Sequence, residues 1–182
     1  MDVWEAIEKR RSIRRFAGPA TEEQLRKIIL AGTKAPSGGN RQGWEFVIVD
    51  DPQLIAQIAE SKYQQNRKVP PGAKQTSEDV EKGARRQRES FANASIVVVC
   101  NKVGEAASAW LAVQNMCLAA VAEGLGTVIT GFGGEHKRSV EQIVGVAQGY
   151  EMATVVKIGV PAESPSPPQR RPEFSWLHKN RF

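Results

Sequence analysis

Apolar positions recur along the chain with two periods, one near 3.6 and one of 2, and the switches between them predict alternating helices and strands. Residues 2–11 carry Val3, Trp4, Ala6 and Ile7 among charges, which predicts a short amphipathic helix. Phe16-Ala17-Gly18-Pro19 reads as a breaker. Thr21, with Gln24 three positions on, has the spacing of a capping box, and Leu25, Ile28, Ile29 and Gly32 share one face of the helix that follows. Residues 35–43 form a loop by composition, 44–49 a strand, and Asp51-Pro52 opens a helix reaching about residue 60. Residues 63–75 are polar around Pro70-Pro71-Gly72 and read as a mobile excursion, a candidate lid. A charged helix is predicted over 77–90.

The second half is more apolar. Residues 95–100 are a strand whose Ile96-Val97-Val98-Val99 run is apolar on both faces, so it is expected to be covered on both. Residues 106–123 form a helix apolar almost all round, expected in the core or at a large interface, with Gly124 as its C-cap. A strand over 127–132, a helix over 137–144 and a strand over 153–160 complete the pattern. No repeat or linker interrupts it. The expectation is one α+β domain over residues 1–182, with helices around a central mixed sheet. The tail from residue 161 is rich in proline yet holds Phe174, Trp176, His178 and Phe182. Disordered tails are poor in aromatics, so this one is expected to pack on a neighbour such as a partner subunit.

Composition narrows the class. The chain has 182 residues and a net charge of +5. The basic run Lys82, Arg85, Arg86, Arg88 alternates with Glu78, Asp79, Glu81 and Glu89 and reads as a solvated helix face, whereas Lys9, Arg10, Arg11, Arg14 and Arg15 are tightly clustered. Cys100 and Cys117 are the only cysteines and sit in apolar runs, as small buried hydrophobes do. No signal-peptide pattern opens the chain, and no stretch reaches the roughly 20 apolar residues of a membrane span. A soluble cytoplasmic protein is expected, without a membrane partner.

Four segments offer chemistry. Arg10, Arg11, Ser12 and Arg14 lie where a helix enters a turn; they suit a phosphate, and equally a solvated helix end. Ser37, Asn40 and Gln42 sit among glycines, able either to read the edge of a planar heterocycle or to make an ordinary turn. Thr127 to Gly134 leaves a strand into a glycine-rich turn with neither a GxGxxG nor a P-loop pattern. Arg170 and Arg171 lie in the tail, as phosphate caps or as surface charge. His136 and His178 have no partner at metal-ligand spacing, and no nucleophile elbow occurs. No metal site is expected, and an enzyme with so little acid–base machinery would rely on a cofactor.

In this order the motifs resemble the nitroreductase family of flavoproteins. Arg10-Arg11-Ser12-Ile13-Arg14-Arg15-Phe16 looks like its N-terminal RRSxRxF signature, and Pro36-Ser37-Gly38-Gly39-Asn40-Arg41-Gln42-Gly43-Trp44 is similar to its PSxxNxQxW loop. Ile129-Thr130-Gly131-Phe132, Ile158-Gly159-Val160-Pro161 and the Arg170-Arg171 pair complete the match. The resemblance implies a homodimer with a swapped C-terminal tail and FMN bound between subunits. It also implies ping-pong hydride transfer from NAD(P)H through flavin N5 to a small acceptor such as a nitroaromatic or quinone. Carried over by residue, Arg10 and Ser12 hold the phosphate and ribityl side with Arg11 alongside. Arg14, the candidate catalytic residue, lies at the pyrimidine edge. Ser37, Asn40 and Gln42 come from the partner chain, Thr130 and Gly131 approach N5, and Arg170 or Arg171 closes over the phosphate. The chain departs from the family at Gly43, where many members carry proline, and at Thr130, where they carry an acidic residue. Two rivals remain: the same fold with another flavin reaction, such as a dehydrogenase or dehalogenase, and a basic nucleic-acid-binding protein, although no nucleic-acid partner is expected.

Overall fold

The computed structural model describes residues 1–182. Helix α1 (Val3–Lys9) starts where the Asp2 side chain accepts the Glu5 amide, and it ends at Arg10, whose ψ of 125° leaves the helix. Only Lys9 of the basic cluster lies in the helix, and Arg10 and Arg11 follow its end instead of belonging to the 2–11 helix expected. The predicted breaker at Phe16–Pro19 is a strand, β1. It pairs with the end of the last strand through a register shift at Gly18, so the proline closes a short edge segment instead of preventing one. Helix α2 (Glu22–Gly32) carries the full capping box of Thr21 and Gln24.

A short 3-10 turn (Gly38–Asn40) leads into β2 (Trp44–Val49) and then α3 (Pro52–Arg67). The last helix outruns its expected end by two turns. Tyr63 is buried and its hydroxyl donates to Glu81, so the polar stretch begins as helix and only residues 68–75 form the excursion. Helix α4 (Ser77–Glu89) follows, with Arg85 paired to Glu81 and Arg88 to Glu60 as a solvated face requires. Then come β3 (Ser95–Lys102), α5 (Ala106–Ala122), β4 (Gly126–Thr130), α6 (Gly134–Ile143) and β5 (Tyr150–Pro161).

Strand β5 is central: it pairs antiparallel with β1, β3 and β4, and β3 pairs antiparallel with β2. The one parallel element is a bridge from Ser12 to Thr127, where the Ile13 amide donates to the Thr127 carbonyl at 2.9 Å. The β3 run is buried on both faces as its sequence demands. Ile96 and Val98 join Ile58 and Val140 from α3 and α6; Val97 and Val99 join Ile28 from α2 and Val113 and Met116 from α5. Helix α5 buries one side only: Trp110 and Leu111 are exposed, next to an α1 that exposes Val3 and Trp4. The tail beyond β5 has no regular element; Phe174 lies 6.0 Å from Trp176 and His178 stacks at 4.5 Å on Phe182, all exposed. No helix is long and apolar enough to cross a membrane.

Candidate active site

The basic segment is fixed by its backbone. The Arg10 amide closes α1 on the Ala6 carbonyl, and Arg11 curls back so that its guanidinium donates to the carbonyls of Glu8 and Arg10. Ser12 is pinned to β4 through the parallel bridge, and Ile13 beside it packs against Gly126, where a Cβ would come within 2.5 Å of Ile13. Arg14 and Arg15 donate their amides to the Glu163 carboxylate at 2.6 and 3.3 Å. Those amides, the Arg14 one foremost, hold the Glu163 carboxyl below the usual range. The Arg14 guanidinium stays exposed and touches only the Ser12 carbonyl, at 3.4 Å.

The bridge sets Ser12 against Thr127 near the start of β4, and the strand leaves the sheet at Thr130 and Gly131. There Thr130 is buried and its Oγ1 has no hydrogen-bond partner, a costly state for a hydroxyl that asks for a ligand. Gly131 and Gly133 are bare, with open space where a Cβ would stand. The Gly131 carbonyl accepts from Lys62 Nζ at 2.7 Å. Burial lowers the Lys62 pKa, and no carboxylate pairs with it. Lys62 was hidden from sequence reasoning because it lies in the part of α3 that runs beyond the expected helix end. Lys157 of β5 was missed as well; the available signal was a lone charge within the apolar run Val155–Val160.

The loop before β2 is built separately. The Gln42 amide donates to Ser37 Oγ at 3.0 Å and Gln42 Nε2 to Asn40 Oδ1 at 3.2 Å. Asn40 and Gln42 both hold positive φ, at 54° and 50°, a conformation that presents side chains outward at a cost in strain. Ala35 and Trp44 at its ends pack on Ala112 of α5. A Cβ at Gly43 would meet the Glu105 carboxylate that pairs with Arg41, so a side chain there would push that flexible group aside. No hydrogen bond or ion pair joins Ser37, Asn40 or Gln42 to Arg10, Ser12 or Arg14. Arg170 and Arg171 stand exposed in the tail, without an ion pair. Within one chain the expected site is thus present in four pieces, of which the Arg10–Arg14 piece is tied by the Ser12–Thr127 bridge to the strand that carries Thr130.

The residues present fit a flavin mononucleotide: guanidinium groups and a serine for a phosphate, a bare glycine turn for a planar ring, an unpaired buried hydroxyl, and cations free of carboxylates. The model of the nitroreductase family matches residues 7–160. An NADH dehydrogenase of Thermus thermophilus is 30% identical, over 94% of this chain and 93% of that one. An iodotyrosine deiodinase of Thermotoga neapolitana is 28% identical over 94% of each. The structure of an iodotyrosine deiodinase bound to FMN and 3-iodo-L-tyrosine superposes with a TM-score of 0.80, at 25% identity, over 100% of both chains.

Proposed function

The chain belongs to the nitroreductase family, and from that premise we propose that it is an FMN-dependent oxidoreductase working as a homodimer. It would use NAD(P)H, a cytoplasmic reductant, to reduce a small acceptor such as a quinone or nitroaromatic. The observation that carries the reading is the β4 exit: the unpartnered Thr130 hydroxyl, the bare Gly131 turn and the carboxylate-free cation Lys62, with the free Arg14 guanidinium on the neighbouring segment.

FMN, when bound, supplies reversible two-electron chemistry at N5. Arg10 and Ser12 would grip its phosphate, with Arg11 alongside and Arg170 or Arg171 of the tail closing over it. Thr130 and Gly131 line the N5 side. Arg14 faces the pyrimidine edge, where a fixed cation stabilises the negative charge that accompanies reduction. Lys62 would hold the Gly131 backbone in place and add a cation on the N5 side. Ser37, Asn40 and Gln42 bond only among themselves, which supports their completing the site of a second subunit. In balance, one NAD(P)H and one proton deliver two electrons and two hydrogens to the acceptor.

The test is direct. Purified protein should be yellow, with a flavin absorbance band, and should oxidise NADPH or NADH in proportion to added quinone. Protein that stays colourless after incubation with FMN overturns the reading. The likeness to iodotyrosine deiodinases supports a second reading in which the acceptor is a halogenated phenol. Anaerobic turnover with 3-iodotyrosine, following iodide release, separates the two.

A further inference from the structure

A cleft of about 1010 Å³ lies between α4 and the segment 14–16, and it shares Arg14 with the flavin side. Arg14, Arg15 and Arg86 line it, with Glu89 and Glu163 as its carboxylates. Glu163 is already committed to the Arg14 amide and, at 3.1 Å, to Arg15 Nε. The floor is Ser90, only 8% exposed. Its hydroxyl donates to the Gln87 carbonyl at 2.7 Å and accepts from Lys157 Nζ behind it at 2.5 Å. Lys157 is wholly buried on the central strand; its other close neighbour is the Phe91 ring, 4.2 Å away, and no carboxylate pairs with it. A buried amine in that position is costly unless an anion arrives to pair with its charge. Burial foremost, then the charges of Lys62 and Arg14, push its pKa down to about 7.

The cleft does not end there. A second hollow of about 500 Å³ shares Gly83 and Arg86 with the first and adds Lys74 and Lys82. Its carboxylate, Asp79, is occupied in capping Thr76. Gly83 sits in the middle of α4, where glycine is unfavourable for a helix, and a Cβ there would meet nothing. Its bareness leaves a low step joining two cationic hollows, one of which starts at the flavin-side arginine.

We propose that this double cleft binds the phosphates of the dinucleotide reductant, with the 2′-phosphate of NADPH held at the Lys74–Lys82 end, so that NADPH is preferred to NADH. The inference rests on the oxidoreductase reading above and deepens it. Arginine suits phosphate through paired donors, and lysine supplies a point charge. The span of two hollows fits a ligand with separated anionic groups better than a lone phosphate.

The experiment is calorimetric titration of the flavin-loaded protein, at fixed ionic strength, with adenosine 2′,5′-bisphosphate and with ADP. The bisphosphate should bind more tightly to the wild type. Arg86→Ala should weaken both ligands by roughly 10- to 100-fold, the effect expected for one charge-assisted contact. Lys82→Ala should weaken the bisphosphate more than ADP. Equal affinities for the two ligands, or variants that match the wild type, overturn the proposal. So does loss of flavin absorbance in Arg86→Ala, which would assign the cleft to the phosphate of FMN. If the wild type itself cannot be loaded with flavin, the oxidoreductase reading fails on that ground. The same titration on the colourless protein still decides whether the cleft takes a bisphosphate.

Discussion

Two side chains make sharp demands on experiment. Arg14→Ala removes the cation proposed for the pyrimidine edge, and loss of one such group costs catalysis about 10²-fold. Rapid-mixing kinetics should show flavin reduction slowed by about that much while flavin retention changes less; an unchanged rate removes Arg14 from the role. Lys157 gives a stability signature. Its pKa is about 7 when folded, below the ordinary lysine value of 10.5, so between those limits the unfolded chain binds more protons than the folded one. Stability from this group therefore rises with pH across that window, and the cost of burying the charge is fully present below pH 7. Lys157→Met should gain about 1–4 kcal/mol over the wild type in urea unfolding at pH 6 and less at pH 9.5. A pH-independent difference would contradict it. At this scale the sequence was partly legible. Arg10, Ser12, Arg14 and Thr130 stand out through motifs. Lys62 and Lys157 matter through what surrounds them, and that comes from distant segments.

Elements whose apolar period is local were readable: β2, α2 with its cap, the apolar run of β3, and α5. Those decided by remote contacts were not. β1 exists because β5 offers it an edge, against the tendency of Gly18-Pro19 to end a strand. The last turns of α3 persist because Tyr63 is buried and reaches Glu81 on α4. The β1–β5 pairing depends on Gly159, where a Cβ would stand 2.5 Å from the Gly18 carbonyl and 3.1 Å from the Phe16 ring. Backbone cannot yield there as a side chain can. Gly159→Ala should destabilise by about 1–3 kcal/mol, the range of overpacked sites, and should loosen flavin, because the same segment carries Arg14. Thermal melts paired with flavin-release measurements check both; a melt equal to wild type would mean that β1 moves without cost.

For the whole molecule, the fold class was legible from alternating periods, while the proposed assembly rests on apolar surface that one chain leaves uncovered. Trp4 and Trp110 are 73% and 44% exposed in the single chain, and Trp176 is 51% exposed. Together with a loop whose Ser37, Asn40 and Gln42 meet no other site residue, they are the features on which the proposed dimer rests. Sedimentation should give a dimer, and removal of residues 164–182 should weaken both the dimer and its hold on flavin. A flavin-loaded monomer would overturn the shared site.

The parallel bridge between Ser12 and Thr127 has a consequence for how the arm can be watched. Between the end of α1 and Arg14, one backbone amide, that of Ile13, ties this arm of the chain to β4. Its deuterium uptake is therefore a clock for the arm's detachment, and filling of the neighbouring groove should slow that clock even in an enzyme that is turning nothing over.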